Sequence, residues 1–286
     1  MRQPGRTGAA MLMALMLASC SPLRMFNAVM PKDGGVTLVA HDAAFGTDRR
    51  QRLDVYAPRG AAGRALPIIV FYYGGSWSSG TKDGYAFVGR ALASRGFLVA
   101  IPDYRLVPQV RYPAFLEDNA AAPRWVLAHA AQLGGDPDRV VLAGHSAGAY
   151  DAAMLALDPR WLGADRRVVR GLIGLAGPYD FLPFDGPVVQ RAFAGVSDPL
   201  ATQPVHYARS GAPPAFLATG ARDTLVLPRN SDALAQRLRA AGVRVERRIY
   251  PEVGHAGLVT AMAKPLRGRA GVLDDMVAFA RAVTDK

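Results

Sequence analysis

Arg139-Val140-Val141-Leu142-Ala143-Gly144-His145-Ser146-Ala147-Gly148-Ala149-Tyr150-Asp151-Ala152-Ala153-Met154 changes character at a single serine. Val140 to Ala143 is a continuous apolar run of strand length, and from Ala147 the residues are small and helix-forming, so the segment reads strand, tight turn, helix. Gly144 and Gly148 sit two positions either side of Ser146, where a strained and closely packed turn leaves no room for side chains. The flanks, more than the G-x-S-x-G spacing alone, make Ser146 a candidate nucleophile. Such a turn lifts the hydroxyl to the top of a sheet, and the amino end of the following helix points its amides at a developing oxyanion.

Outward from this elbow, further strand-length apolar runs occur at Leu53 to Tyr56, Ile68 to Tyr72, Phe97 to Ile101, Leu172 to Leu175, Ala215 to Ala218 and Val245 to Tyr250. Several are continuous, as strands buried on both faces of a parallel sheet must be. Helical patterns lie between them at 86–94, 115–132, 147–155, 231–241 and 273–283, with Gly96 and Gly242 where helix-ending glycines belong. Pro123 falls inside the second pattern and predicts a kink or a late start. The alternation predicts an α/β fold, a mostly parallel doubly wound sheet with helices on both faces. Residues 178–213, rich in Pro, Gly and Asp, lack periodicity and read as a small lid-like excursion or substrate wall.

A serine hydroxyl is a weak nucleophile at neutral pH and needs a base oriented by an acid; with this kind of elbow the acid and then the base follow the serine along the chain. Of the five histidines only His206 and His255 follow Ser146. His206 lies in the irregular stretch with no acid at a strand end before it. His255 lies in the loop after the last strand, so it is the expected base. Asp223 follows the strand 215–218 at its carboxyl end and is the expected acid, whereas Asp232 belongs in the first turn of the next helix, where a negative charge is favourable. Phe71-Tyr72-Tyr73-Gly74-Gly75-Ser76-Trp77 follows the strand 68–72, and its paired glycines would let backbone amides approach a substrate oxygen.

On these residues, together with Asp103-Tyr104-Arg105-Leu106 and Gly134-Gly135-Asp136-Pro137, the chain resembles the α/β-hydrolases of the hormone-sensitive-lipase and carboxylesterase groups over nearly all of residues 36–283. The resemblance implies a serine esterase whose catalytic residues are Ser146, Asp223 and His255. It implies oxyanion donors from the amides of Gly75 or Ser76 together with Ala147. Tyr73 departs from the family's usual histidine, which puts the anchoring of this loop in question. Asp103 and Arg105 are expected to form a buried structural pair, and Trp77 either lines the pocket or packs beneath the loop. An arylformamidase-like amide hydrolase, a peptidase and a non-catalytic surface-binding lipoprotein are the alternative readings.

The chain has 286 residues, half of them hydrophobic, which suits one domain of this fold. Arg2 and Arg6 precede an apolar run from Ala9 to Ala18 too short to span a bilayer, a pattern of secretory signals. Leu17-Ala18-Ser19-Cys20 resembles the bacterial lipobox, so residues 1–19 read as signal peptide, Cys20 as the lipidated residue, 20–35 as a tether and 36–286 as the catalytic domain. Ser21 after the cysteine points to the outer membrane facing the periplasm. Removing residues 1–19 takes away two arginines and lowers the formal charge from +11 to +9. Of the 34 basic residues 30 are arginine, scattered without a basic run, which suits solvated surface and matches no nucleic-acid-binding motif. No His, Cys or carboxylate cluster has metal-ligand spacing, so neither metal nor organic cofactor is implied. The expected partner is a small-molecule ester, and the oligomeric state is not legible.

Overall fold

A computed structural model describes residues 22–285. Eight strands form one sheet: β1 (Val36–Ala44), β2 (Arg52–Pro58), β3 (Leu66–Tyr72), β4 (Leu98–Pro102), β5 (Gly135–His145), β6 (Val169–Leu175), β7 (Ala215–Gly220) and β8 (Val245–Tyr250). Their order is β1-β2-β4-β3-β5-β6-β7-β8, antiparallel at the first two pairings and parallel from β4 onward. The helices are α1 (Pro22–Val29), α2 (Ala86–Ala93), α3 (Ala114–Leu133), α4 (Ala147–Leu157), α5 (Pro159–Leu162), α6 (Pro187–Ala192), α7 (Arg229–Ala240), α8 (His255–Thr260) and α9 (Val272–Thr284). Helices α2 and α9 meet on one face of the sheet, α3 and α4 on the other. This is the doubly wound arrangement of an α/β-hydrolase, and central strands β3 and β5 are sealed from solvent over most of their length, as their unbroken apolar runs require.

The structure departs from the sequence expectations in several places. Strand β1 was not foreseen, because it is an edge strand with register shifts between Leu38 and Ala40 and between Ala40 and Ala43, and its exposure follows no clean alternation. Helix α3 starts at Ala114 and runs past Pro123 to Leu133, so the proline causes no late start; Gly134, at φ 84°, ends it.

The third departure is the expected tether, whose described residues are docked. In α1, Leu23 and Phe26, with Met30 just beyond, turn one stripe onto the core. The Phe26 ring meets Phe87 edge-on at 5.3 Å. Asn27 Nδ2 donates to the Asp83 carbonyl at 2.8 Å while its Oδ1 accepts from the Phe87 amide at 3.0 Å. Arg267 grips the Asp33 carboxylate with two hydrogen bonds of 2.9 and 2.6 Å. Residues 1–19, expected to be a signal peptide, and Cys20, the expected lipidated residue, lie outside the described residues.

His41, Asp42 and Asp54 come close enough for shared ligation, which their spacing did not suggest. Lys82 Nζ sits among them, 2.7 Å from Asp42 Oδ1 and 3.1 Å from Asp54 Oδ1, and supplies the compensating positive charge.

Candidate active site

Ser146 occupies the single residue between β5 and α4, at φ 56° and ψ −125°. The reason is steric. A Cβ at Gly144 would lie 2.1 Å from the Gly148 carbonyl oxygen, and one at Gly148 would lie 2.1 Å from that of Tyr72. Backbone therefore passes where side chains would be, and the turn can close tightly enough to strain a serine. The Ser146 amide donates to the Leu175 carbonyl at 2.8 Å, tying the turn to β6.

Asp223 follows β7 and is sealed from solvent, with both carboxylate oxygens engaged. Oδ1 accepts from the amides of Leu225 at 3.0 Å and Val226 at 2.9 Å, and Oδ2 lies 2.8 Å from His255 Nδ1. Burial pushes the carboxyl pKa up, but the His255 hydrogen bond and the amides outweigh it and hold Asp223 below its ordinary value. An ionised carboxylate can only accept, so Nδ1 of His255 carries the proton. The lone pair of Nε2 then faces Ser146 Oγ, 2.8 Å away. Ser146, His255 and Asp223, separated by up to 109 residues in sequence, thus stand in one hydrogen-bonded row able to move a proton off the serine. His206 lies exposed in the turn 204–207, and Asp232, on α7, pairs with Arg247 of β8; neither enters the row.

A cleft of 660 Å³ opens above Ser146, lined in part by Ser76, Trp77, Ala147, Phe181, Phe184 and Leu225. Ser76 and Ala147, both expected oxyanion donors, border the serine here. Gly75 adopts φ 142° and its carbonyl accepts from the amides of Ser78 and Ser79, each at 3.0 Å, which fixes the loop from behind. Residues 178–189 supply one wall of the cleft, as expected for the irregular excursion. Trp77 does both things the sequence left open: it lines the cleft, and it is buried, with its indole N–H donating to Asp151 Oδ1 at 3.1 Å.

The Tyr73 substitution finds its own anchor. Its hydroxyl accepts from Arg50 Nη2 at 2.8 Å, its carbonyl accepts from the Tyr104 hydroxyl at 3.0 Å, and its ring stacks on Tyr104 at 4.7 Å. Asp103 and Arg105 do not pair with each other. Asp103 accepts from the Lys82 amide at 2.7 Å and lies 3.8 Å from Arg50, while Arg105 clasps buried Asp118 through contacts of 2.9 and 2.6 Å.

The family model that matches this chain, BD-FAE, covers residues 53–238, which include the elbow, the glycine loop and Asp223. The chain belongs to the BD-FAE family. Among the relatives of this BD-FAE protein, carboxylesterase NlhH of Mycobacterium tuberculosis is 36% identical over 229 residues, 72% of this chain and 70% of its own. A probable isoprenylcysteine alpha-carbonyl methylesterase of Oryza sativa subsp. japonica is 30% identical over 272 residues, 84% of this chain and 62% of its own. In fold the chain is similar to esterase B of Lactobacillus rhamnosis in a tributyrin-phosphonate-inhibited form, at TM-score 0.80 and 20% identity over 99% of this chain and 97% of the other. It is likewise similar to a truncated carbohydrate esterase from gut microbiota, at TM-score 0.77 and 20% identity over 90% and 100%. This BD-FAE protein is a carboxylesterase-like hydrolase.

Proposed function

We propose that the protein cleaves short-chain carboxylic esters through an acyl-enzyme on Ser146. The observation that carries this reading is the row from Ser146 Oγ to His255 Nε2 to Asp223 Oδ2, each gap 2.8 Å. His255 takes the hydroxyl proton as Oγ attacks the carbonyl carbon, and the Asp223 carboxylate stabilises the imidazolium. The amides of Gly75 or Ser76 and of Ala147 receive the oxyanion. Collapse expels the alcohol with the proton from His255, and water then repeats the cycle to release the acid and free Ser146. Phe181 and Phe184 close one side of the cleft and favour compact acyl groups.

The test is hydrolysis of p-nitrophenyl esters from acetate to laurate by the wild type and Ser146→Ala. Rates that peak at short chains and vanish in the variant support the reading; rates equal in the two proteins overturn it. The Trp77 and Phe181 rings, with centroids 6.3 Å apart beside the serine, favour a second reading, hydrolysis of N-formyl aromatic amides, assayed in the same series. For location, the lipobox-like Leu17 to Cys20 supports a lipid anchor on Cys20 in the outer membrane, facing the periplasm. Incorporation of labelled palmitate that disappears in Cys20→Ala is the expected result.

A further inference from the structure

Three buried groups, Gly74, Tyr85 and His145, run in a single line from the glycine loop to the backbone of the half-buried general base. The Gly74 amide donates to the Tyr85 hydroxyl at 3.1 Å, Tyr85 Oη lies 3.0 Å from His145 Nδ1, and His145 Nε2 lies 3.1 Å from the His255 carbonyl oxygen. A carbonyl can only accept, so Nε2 of His145 bears a hydrogen. Burial pushes the His145 pKa down to about 3, with the neighbouring His255 adding to the effect, so the ring is neutral and Nδ1 is an acceptor. The Tyr85 proton must then point at Nδ1, which leaves the Tyr85 oxygen free to accept from Gly74. Every donor and acceptor along the line has one possible role.

We propose that Tyr85 and His145 are positioning residues that hold the oxyanion loop in register with the general base. The proposal rests on the roles given above to Ser146, His255 and the loop amides. The bridge joins two segments that chemistry requires in fixed relation and that follow β3 and β8, strands four places apart in the sheet. Gly74 immediately precedes Gly75 and Ser76, so its amide sets the direction of the donors. His255 begins α8, and its own carbonyl is the atom His145 holds. The middle of the bridge is the residue beside the nucleophile, so all three working parts are referenced to the elbow. His145 also lies with its ring centroid 4.9 Å from that of His255. A neutral ring at that distance leaves the imidazolium formed during attack without a cationic neighbour.

The arrangement explains why Tyr85 is buried with a polar tip. It sits in the turn 82–85, whose first residues hold Asp103 and the acidic group around Lys82, and among the described residues its hydroxyl hydrogen-bonds to the two polar groups of the bridge. A tyrosine needed only for volume would leave its hydroxyl outside the core.

The experiment compares Tyr85→Phe, His145→Gln and His145→Leu with wild type and Ser146→Ala on p-nitrophenyl butyrate. Active sites are titrated with a fluorophosphonate so that kcat is expressed per reactive serine. The expected result is that Tyr85→Phe lowers kcat about tenfold with KM within about twofold, and that His145→Leu lowers it about a hundredfold. His145→Gln, which keeps an adjacent donor and acceptor, recovers most of the His145→Leu loss. Per-site kcat equal to wild type in folded Tyr85→Phe and His145→Leu overturns the bridge, even if their melting temperatures fall. Activity surviving in Ser146→Ala overturns the catalytic roles instead. If butyrate is not cleaved, the rate of phosphonylation of Ser146 in the same variants gives the same comparison.

Discussion

Trp77 Nε1 donates to Asp151 Oδ1 at 3.1 Å in a site closed to solvent, and Asn119 Nδ2 holds the other carboxylate oxygen at 3.0 Å. The carboxyl thus ties the loop that carries Ser76 to α4 and α3. Burial raises its pKa well above the ordinary value, against the opposing pull of the indole. A raised value in the folded state means the group favours folding at pH below its unfolded pKa, about 3.9, and that this contribution is lost as pH rises through the folded value. Asp151→Asn keeps an acceptor for the indole and removes the titration. It should match wild type near pH 3.5 and melt roughly 2–4 °C higher at pH 8. Asp151→Leu, which orphans the indole N–H, should cost about 1–3 kcal/mol. Thermal melts across pH check both.

Asp223 has the opposite sign. Its lowered pKa, set by the His255 hydrogen bond and two amides over the opposing effect of burial, gives stability present above the unfolded carboxylate value and lost as pH falls through the folded one. The difference in melting temperature between wild type and Asp223→Asn should be constant around neutrality and close below about pH 4. At neutral pH Asp223→Asn should lower kcat by about 10³–10⁴, because an amide can donate to Nδ1 and stabilise the wrong tautomer of His255. Stopped ester assays and melts on the one variant separate the two effects.

Gly148 admits no side chain. A methyl there would meet two backbone oxygens, that of Tyr72 at 2.1 Å and that of Tyr73 at 2.5 Å, and backbone of a central strand cannot yield cheaply. Gly148→Ala should destabilise by roughly 2–4 kcal/mol and lower kcat with it, since α4 must tilt and carry the Ala147 amide away. Gly268→Ala, at a position with open space around it, is the control and should be within about 0.5 kcal/mol of wild type. Urea unfolding of both variants gives the comparison.

Arg50 serves three acceptors at once: the Tyr73 hydroxyl at 2.8 Å, the Tyr104 carbonyl at 2.8 Å and the Gly80 carbonyl at 3.0 Å. Truncating it to alanine strands buried oxygens on both sides of the glycine loop, a loss of about 2–4 kcal/mol. Lysine, with one nitrogen in place of a fork, should recover less than half of that. Melting temperatures of Arg50→Ala and Arg50→Lys decide it.

Where the chain's local chemistry dictated the outcome, the sequence was readable. The apolar runs located seven of the eight strands, since a strand buried on both faces must be apolar throughout, and the glycines of the elbow located Ser146 because only they tolerate the backbone contact. Asp223 and His255 were found from chain order and strand ends, and the structure brings both to the serine. What escaped reading was pairing at a distance. Nothing local tells Asp103 to choose Arg50 over Arg105, or puts Tyr85 against His145, 60 residues away. Helix α1 escaped for another reason: eight residues close after an apolar run resemble a linker until the surface that receives Phe26 and Asn27 is known.

If Cys20 carries the proposed lipid, that docked helix would limit how far the enzyme can travel. With a lipid on Cys20, only Ser21 lies between the anchored residue and α1, a reach of at most about 3.5 Å per residue. The body would ride against the bilayer like a foot on a short ankle, holding a near-constant height and heading. On that proposal, esters dissolved away from the membrane would have to diffuse to it, while those at the membrane surface would already be within its grasp.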